Sequence, residues 1–236
     1  MSAALQEAPR QVPARAGAPA AERLLRSYLH KTSNSLCGIK GYAGLIASPD
    51  HDTAKRAAWA EKIIREVECM EAIYRSVHDL TAPRGNPDRG VDLPRLLDDV
   101  FRVCEARCPG LQVLAGRLPA AELLLPKGDL CLVLTELLLN AWEGADGAGR
   151  PARVEVTASA QPTGRLALRL RDDGPGIEPA LAAQVADPFV TTKDGHLGVG
   201  LTRVQTLLEM YDLAWSLDSA PGRGTTVTLE VAETTD

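Results

Sequence analysis

Glu136 and Asn140 stand four residues apart, a spacing that puts both side chains on one face of a helix. A neutral amide oxygen beside a carboxylate suits a hard cation that prefers oxygen and keeps several of its waters. Downstream, Asp172 precedes Asp173-Gly174-Pro175-Gly176. Glycines there let the backbone come close to a flat ring. The carboxylate can accept from an exocyclic amine, a charge-assisted bond worth roughly 1.5–3 kcal/mol. Farther on, Lys193 stands close to Gly195, Gly198 and Gly200. Glycine N–H groups leading into a helix expected to start near Val199 make an anion site, and the lysine adds a point charge. Cation, flat ring and anion are thus provided for in that order.

The four segments read Glu136-Leu-Leu-Leu-Asn140, Asp172-Asp-Gly-Pro-Gly-Ile177, Asp187-Pro-Phe-Val-Thr-Thr-Lys193 and Gly195-His-Leu-Gly-Val-Gly-Leu201. In order and spacing the set resembles the N, G1, F and G2 boxes of the ATPase fold. Sensor histidine kinases, type II topoisomerases, the heat-shock chaperone of 90 kDa and mismatch-repair ATPases share that fold. The resemblance covers about residues 92–232, and the most similar members are the nitrogen-regulator type of sensor kinases. It implies ATP and Mg²⁺ as cofactors, with Asn140 ligating Mg²⁺ and Glu136 assisting the metal or polarising water. Asp172 would read the adenine amine, supported by Thr225 after Gly222-Arg223-Gly224. Gly174 and Gly176 would shape that turn. Phe189, Thr192, Lys193, Gly195, Gly198, Gly200 and Leu201 would frame a short lid and the phosphate side. Asp173 stands where most members have Asn.

Leu29-His30-Lys-Thr-Ser-Asn34-Ser-Leu-Cys-Gly-Ile-Lys-Gly-Tyr42 resembles, without gaps, the phosphoacceptor box of sensor histidine kinases. A near-neutral imidazole is a fair nucleophile toward a phosphoryl group at pH 7, so the resemblance makes His30 the phosphoacceptor. Asn34, one turn along, matches an amide or hydroxyl that orients water against a response regulator's phospho-aspartate. Two positions depart from the box. Lys31 replaces an acid that would fix the imidazole tautomer, and a lysine has only donors. Ser35 replaces a proline, which should leave the helix straighter.

These residues need elements to carry them. Leu25, Leu29, Thr32, Leu36, Ile39, Ala43 and Ile46 alternate steps of four and three, a helical seam. Ser48-Pro49-Asp50 breaks it, and a second helix starts near Asp52–Thr53. Its seam runs Trp59, Ile63, Glu66, Met70, Ile73, Val77 and Leu80, flanked by Ile64, Val67 and Tyr74. Two helices cannot bury that much apolar surface against each other, so a dimeric four-helix bundle is expected. Residues 82–91 read as a linker. Helices are expected at Leu93–Ala106, Asp129–Ala145 and Val199–Met210. Strands are expected at Leu111–Ala115, Glu122–Leu125, Arg153–Ser159, Arg165–Arg171 and Thr225–Val231. The fold class is therefore α+β. A helical hairpin (22–81) follows a lead (1–21) and precedes an α/β sandwich (92–232), a mixed sheet with helices on one face, then a tail (233–236).

Bulk properties narrow the partners. A net charge of −5 argues against nucleic acid. No run reaches the roughly 18–20 apolar residues of a membrane span, and the lead lacks a signal peptide's apolar core. A cytoplasmic protein is expected. The five cysteines read as buried small hydrophobes, with Cys104 and Cys108 able to share a helix face. The reading that follows is a homodimeric histidine kinase core with a response-regulator receiver domain as partner and input from an upstream sensor partner. An ATP-binding phosphatase or docking adaptor with weak autokinase activity is the alternative that Lys31 favours. An anti-sigma-type serine kinase would lack the His-bearing hairpin, and a topoisomerase-type ATPase would need transducer domains that do not fit this length.

Overall fold

Two helices form where the seams predict them. The computed structural model describes residues 19–49, 51–82, 85, 91–116, 118–146, 149, 152–193 and 196–233. Among these α1 spans Ala20–Ala47 and α2 Thr53–Thr81. α1 stops at Ser48, whose extended ψ of 133° is what a following proline demands. Asp52 starts α2 by accepting the Lys55 N–H at 2.8 Å, an N-cap that satisfies one orphan donor. The lead and the linker lie largely outside the described residues.

The chain groups into two units. One holds Ala18–Pro83 together with Pro188–Val199, and the other holds Arg84–Asp187 with Gly200–Asp236. In the hairpin unit Leu24, Tyr28 and Ile73 form a buried cluster, with Cys69, Val77, Leu80, Phe189, Leu197 and Val199 packed on it. This corrects the first half of the α1 seam. Leu24, Tyr28 and Ser35 are buried, while Leu25, Leu29 and Leu36 face outward at 53%, 65% and 52% exposure. α1 carries two adjacent apolar stripes, and the stripe one residue earlier is the one that packs within the chain. On α2 the expected seam residues are the less exposed ones, and Ile64, Val67 and Tyr74 remain exposed.

The second unit is a mixed sheet with helices on one face. In chain order it holds β1 (Val91–Asp92), α3 (Leu93–Glu105), β2 (Gln112–Ala115), β3 (Ala120–Leu123), α4 (Lys127–Asp146), β4 (Arg153–Ala160) and β5 (Arg165–Asp172). There follow α5 (Pro179–Ala182), α6 (Gly200–Met210), β6 (Trp215–Ser219) and β7 (Thr225–Glu233). The strand order is β1-β3-β7-β5-β4-β2, with β6 also on β7. β7 is long enough to serve both: β6 pairs its first half, from Thr225 to Leu229, and β3 its end at Ala232 and Glu233. Among the described strands only β2 with β4 is parallel. Val154, Val156, Leu166, Leu168 and Leu170 are buried, as their alternation predicts. Leu96, Leu97, Leu130, Leu134, Leu138, Leu207 and Leu208 complete the core. The sequence pattern does not predict β6. Its residues, Trp-Ser-Leu-Asp-Ser, are few and half polar, and β7 supplies the pairing that their own propensity does not.

Candidate functional site

The sheet unit builds a turn around Asp172, the last residue of β5. Its Oδ1 accepts the backbone N–H groups of Gly174 at 2.8 Å and Thr225 at 3.1 Å. The carboxylate is thus oriented by the loop that follows β5 and by the first residue of β7. Gly176 has φ +73°, and a Cβ there would fall 2.0 Å from the Ala220 carbonyl oxygen. Gly224 has φ +74°, and its Cβ would meet the Asp172 carbonyl oxygen at 2.1 Å. Glycine is required at both by conformation and by space. Ser219 at the end of β6 ties the turn together. It accepts the Ile177 N–H at 2.9 Å and lies 2.9 Å from both the Gly224 carbonyl oxygen and Thr225 Oγ1. Sequence reasoning places Thr225 here and misses Ser219, because it misses β6 itself.

A second cluster lies where α4 meets α6. Glu136 and Asn140 share one face of α4, and the first residue of α6, Gly200, comes so close that a Cβ would stand 2.7 Å from Glu136 Oε2 and 3.6 Å from Asn140 Nδ2. Arg203, on the first turn of α6, donates to Glu136 Oε1 at 2.5 Å. Nothing in the four boxes points to it. Gly144, one turn beyond Asn140, faces Pro175 of the Asp172 turn, 3.9 Å from its would-be Cβ to Pro175 Cδ. The two clusters therefore belong to one region of the unit. Leu201 follows Gly200 on α6, half-buried.

An amide and a carboxylate are hard oxygen donors. Mg²⁺ is commonly held by one or two such protein ligands plus phosphates and waters. The described residues contain no group of three or more His, Cys, Asp or Glu that could hold a metal by themselves. The donor set at Glu136 and Asn140 fits that sparse mode.

The segment Pro188–Val199 belongs to the hairpin unit. Its base is closed by the Phe189 N–H donating to the Gly198 carbonyl at 2.8 Å. Phe189 takes φ +65°, unusual for a bulky residue, and its ring meets Tyr28 edge-on with centroids 5.9 Å apart. Gly198, at φ +69°, would press a Cβ to 2.8 Å from the Val190 carbonyl oxygen. The Lys193 N–H donates to Thr191 Oγ1 at 3.0 Å, Thr192 is exposed, and Gly195 lies outside the described residues.

On the hairpin His30 is exposed, and Asn34 Nδ2 approaches its Nε2 at 3.3 Å. An amide N–H in this orientation donates only to an unprotonated Nε2, so the contact requires the tautomer with its proton on Nδ1. Lys31 is half-buried. Under the same helices Tyr28 and Ser76 bring their hydroxyls within 2.5 Å in a buried pair. Among the cysteines, Cys104 and Cys108 are buried as expected, and Cys37 is exposed, against expectation. Burial first, then the neighbouring Cys104, pushes the Cys108 thiol up to about 11.

The chain is similar to several known proteins. Residues 127–235 match the family described as "Histidine kinase-, DNA gyrase B-, and HSP90-like ATPase". The chain is 30% identical over 210 residues to the sensor protein kinase FleS of Pseudomonas aeruginosa, covering 88% of this chain and 51% of FleS. It is 23% identical over 211 residues to the signal transduction histidine-protein kinase AtoS of Escherichia coli, covering 87% of this chain and 34% of AtoS. The chain thus spans about a third to a half of the curated relatives it matches. The solved structure of Acinetobacter baumannii histidine kinase AdeS shares the fold, with a TM-score of 0.56, 17% identity, and coverage of 92% of this chain and all of that one. The two relatives are sensor kinases, and the solved structure shows a shared fold. No described helix is long and apolar enough to cross a membrane.

Proposed function

We propose that the protein is a two-component histidine kinase that binds Mg²⁺–ATP, phosphorylates His30 and passes the phosphoryl group to an aspartate of a response-regulator receiver domain. One observation carries the reading. An exposed histidine with an amide at 3.3 Å sits on a helical hairpin, in a chain whose other unit orients Asp172 through two backbone N–H groups and sets Glu136 and Asn140 at the start of α6. Asp172 accepts from the adenine amine. Asn140, with Glu136, holds the cation, and the α6 N-terminus with Lys193 takes the phosphates. Phosphoryl transfer then needs alignment and charge neutralisation more than covalent help from the protein. The ring lone pair attacks the γ-phosphorus, the bridging P–O bond breaks so that ADP leaves with that electron pair, and the ring N–H proton is lost to water.

The outward stripe Leu25, Leu29 and Leu36, with Ile64, Val67 and Tyr74 on α2, supports a homodimer through the hairpin, placed in the cytoplasm and driven by an upstream sensor partner. Asn34 beside His30 supports phosphatase work as well. The second reading, an adaptor or phosphatase with weak autokinase activity, rests on Lys31 alone.

Incubation with labelled Mg²⁺–ATP tests the proposal. An acid-labile, base-stable label is expected, absent in His30→Gln and in Asn140→Ala, and Lys31→Glu should label faster. ATP binding with no label in any variant would favour the adaptor reading, and absence of ATP binding would refute the nucleotide site.

A further inference from the structure

Glu136 presents a charge problem that the four boxes do not solve. Its carboxylate is only 16% exposed, at the start of a helix expected to receive a polyphosphate. An uncompensated carboxylate there is costly to bury and would repel the ligand. Arg203 answers both difficulties. It is 11% exposed, and its Nη1 lies 2.5 Å from Glu136 Oε1. The other oxygen, Oε2, is directed at Gly200, where even a methyl group would stand 2.7 Å from it. The side chain is held from both ends, by the guanidinium on one oxygen and by the close approach of the α6 backbone at the other.

We infer that Arg203 is a positioning residue of the nucleotide site, neutralising Glu136 and holding its carboxylate against Gly200 so that a polyphosphate can approach the α6 N-terminus. The inference rests on the nucleotide reading above. It gives Arg203 no contact with the phosphates. Its effect passes through Glu136, and removing Glu136's charge should make Arg203 dispensable.

That dependence sets the test. Dissociation constants for ATP, with and without Mg²⁺, are measured by calorimetry for the unaltered protein, Arg203→Met, Arg203→Lys, Glu136→Gln and the double variant Glu136→Gln/Arg203→Met. Binding of uncharged adenosine is followed by NMR titration. Arg203→Met should weaken ATP at least about tenfold, about 1.4 kcal/mol, with the larger loss when Mg²⁺ is absent. Adenosine affinity should change by less than about twofold, since the Asp172 turn is untouched. Arg203→Lys should recover most of the loss. The double variant should bind ATP within about threefold of Glu136→Gln, the non-additivity expected of a coupled pair.

A double variant at least about tenfold weaker than Glu136→Gln would overturn the inference and make Arg203 a direct phosphate contact. Equal losses of adenosine and ATP would overturn it in favour of a purely structural role, as would an Arg203→Met variant indistinguishable from the unaltered protein. Should Arg203→Met fail to fold, the double variant, with neither charge, carries the test. Affinity near that of Glu136→Gln supports the inference, and a further tenfold loss overturns it. If the unaltered protein binds no ATP, the nucleotide reading falls and the inference with it. Failure of the Arg203 comparisons alone leaves that reading standing.

Discussion

Gly176 and Gly222 sit in the same turn region with nearly the same φ, +73° and +74°, yet alanine should affect them very differently. At both, an L-residue in the left-handed region costs roughly 1–2 kcal/mol. At Gly222 that is the whole cost, because nothing lies within 4 Å of the new Cβ. At Gly176 the Cβ would arrive 2.0 Å from the Ala220 carbonyl oxygen, when real Cβ atoms essentially never come under 3.0 Å. The obstacle is backbone and cannot rotate away, so the two strand ends must part by about an ångström. Overpacking of this kind adds about 1–3 kcal/mol. The segment that moves holds the Gly222 N–H to Pro175 carbonyl bond at 2.7 Å and lies beside the Asp172 turn, and a displacement near an ångström at a site can cost about a hundredfold in function. Urea denaturation should therefore show Gly176→Ala losing about 2–5 kcal/mol against about 1–2 for Gly222→Ala. Calorimetry should show ATP affinity nearly intact in Gly222→Ala and reduced at least about tenfold in Gly176→Ala. Equal stability and equal ATP affinity in the two variants would refute the reasoning from crowding.

Tyr28→Phe removes one partner of the buried Tyr28–Ser76 hydroxyl pair and should cost about 1–3 kcal/mol, read as a lower thermal midpoint. Leu29→Glu with Leu36→Glu puts charge on the outward α1 stripe and should shift sedimentation from dimer to monomer while the helical circular dichroism persists. A protein that is monomeric without the substitutions would contradict the bundle. Cys108, raised from 9.0 to about 11, keeps its proton in the folded state over a range where the unfolded thiol loses it. The contribution of Cys108 to folding stability should thus be flat below pH 9 and fall between pH 9 and about 11, and Cys108→Ser should lessen the fall of stability over that range. Under native conditions a thiol reagent should modify the exposed Cys37 well before the buried Cys104 and Cys108.

How much of this was legible depends on how local the cause is. The Asp52 start of α2, the Ser48-Pro49 break and the alternation of β4 and β5 are decided by neighbours in sequence, and these are readable. The α1 register is not. Leu24 with Leu25, and Tyr28 with Leu29, are adjacent pairs in which either side chain could serve a core. Choosing between them needs the distant cluster of Ile73, Phe189 and Leu197. β6 escaped for the same reason, since its stability comes from β7. At the site, Asp172, Gly174, Gly176, Glu136 and Asn140 announced themselves by spacing. Ser219 and Arg203 did not, because each acts through a partner 42 or 67 residues away. Only the fold brings those pairs together.

The central claim is that a phosphoryl group held by the sheet unit reaches His30. Tandem mass spectrometry under neutral to basic conditions tests it directly, on protein incubated with Mg²⁺–ATP. Phosphate is expected on the His30 side chain, and none when Asp172→Asn or Asn140→Ala is used. Phosphate on another residue, or on His30 in both of those variants, would contradict the claim.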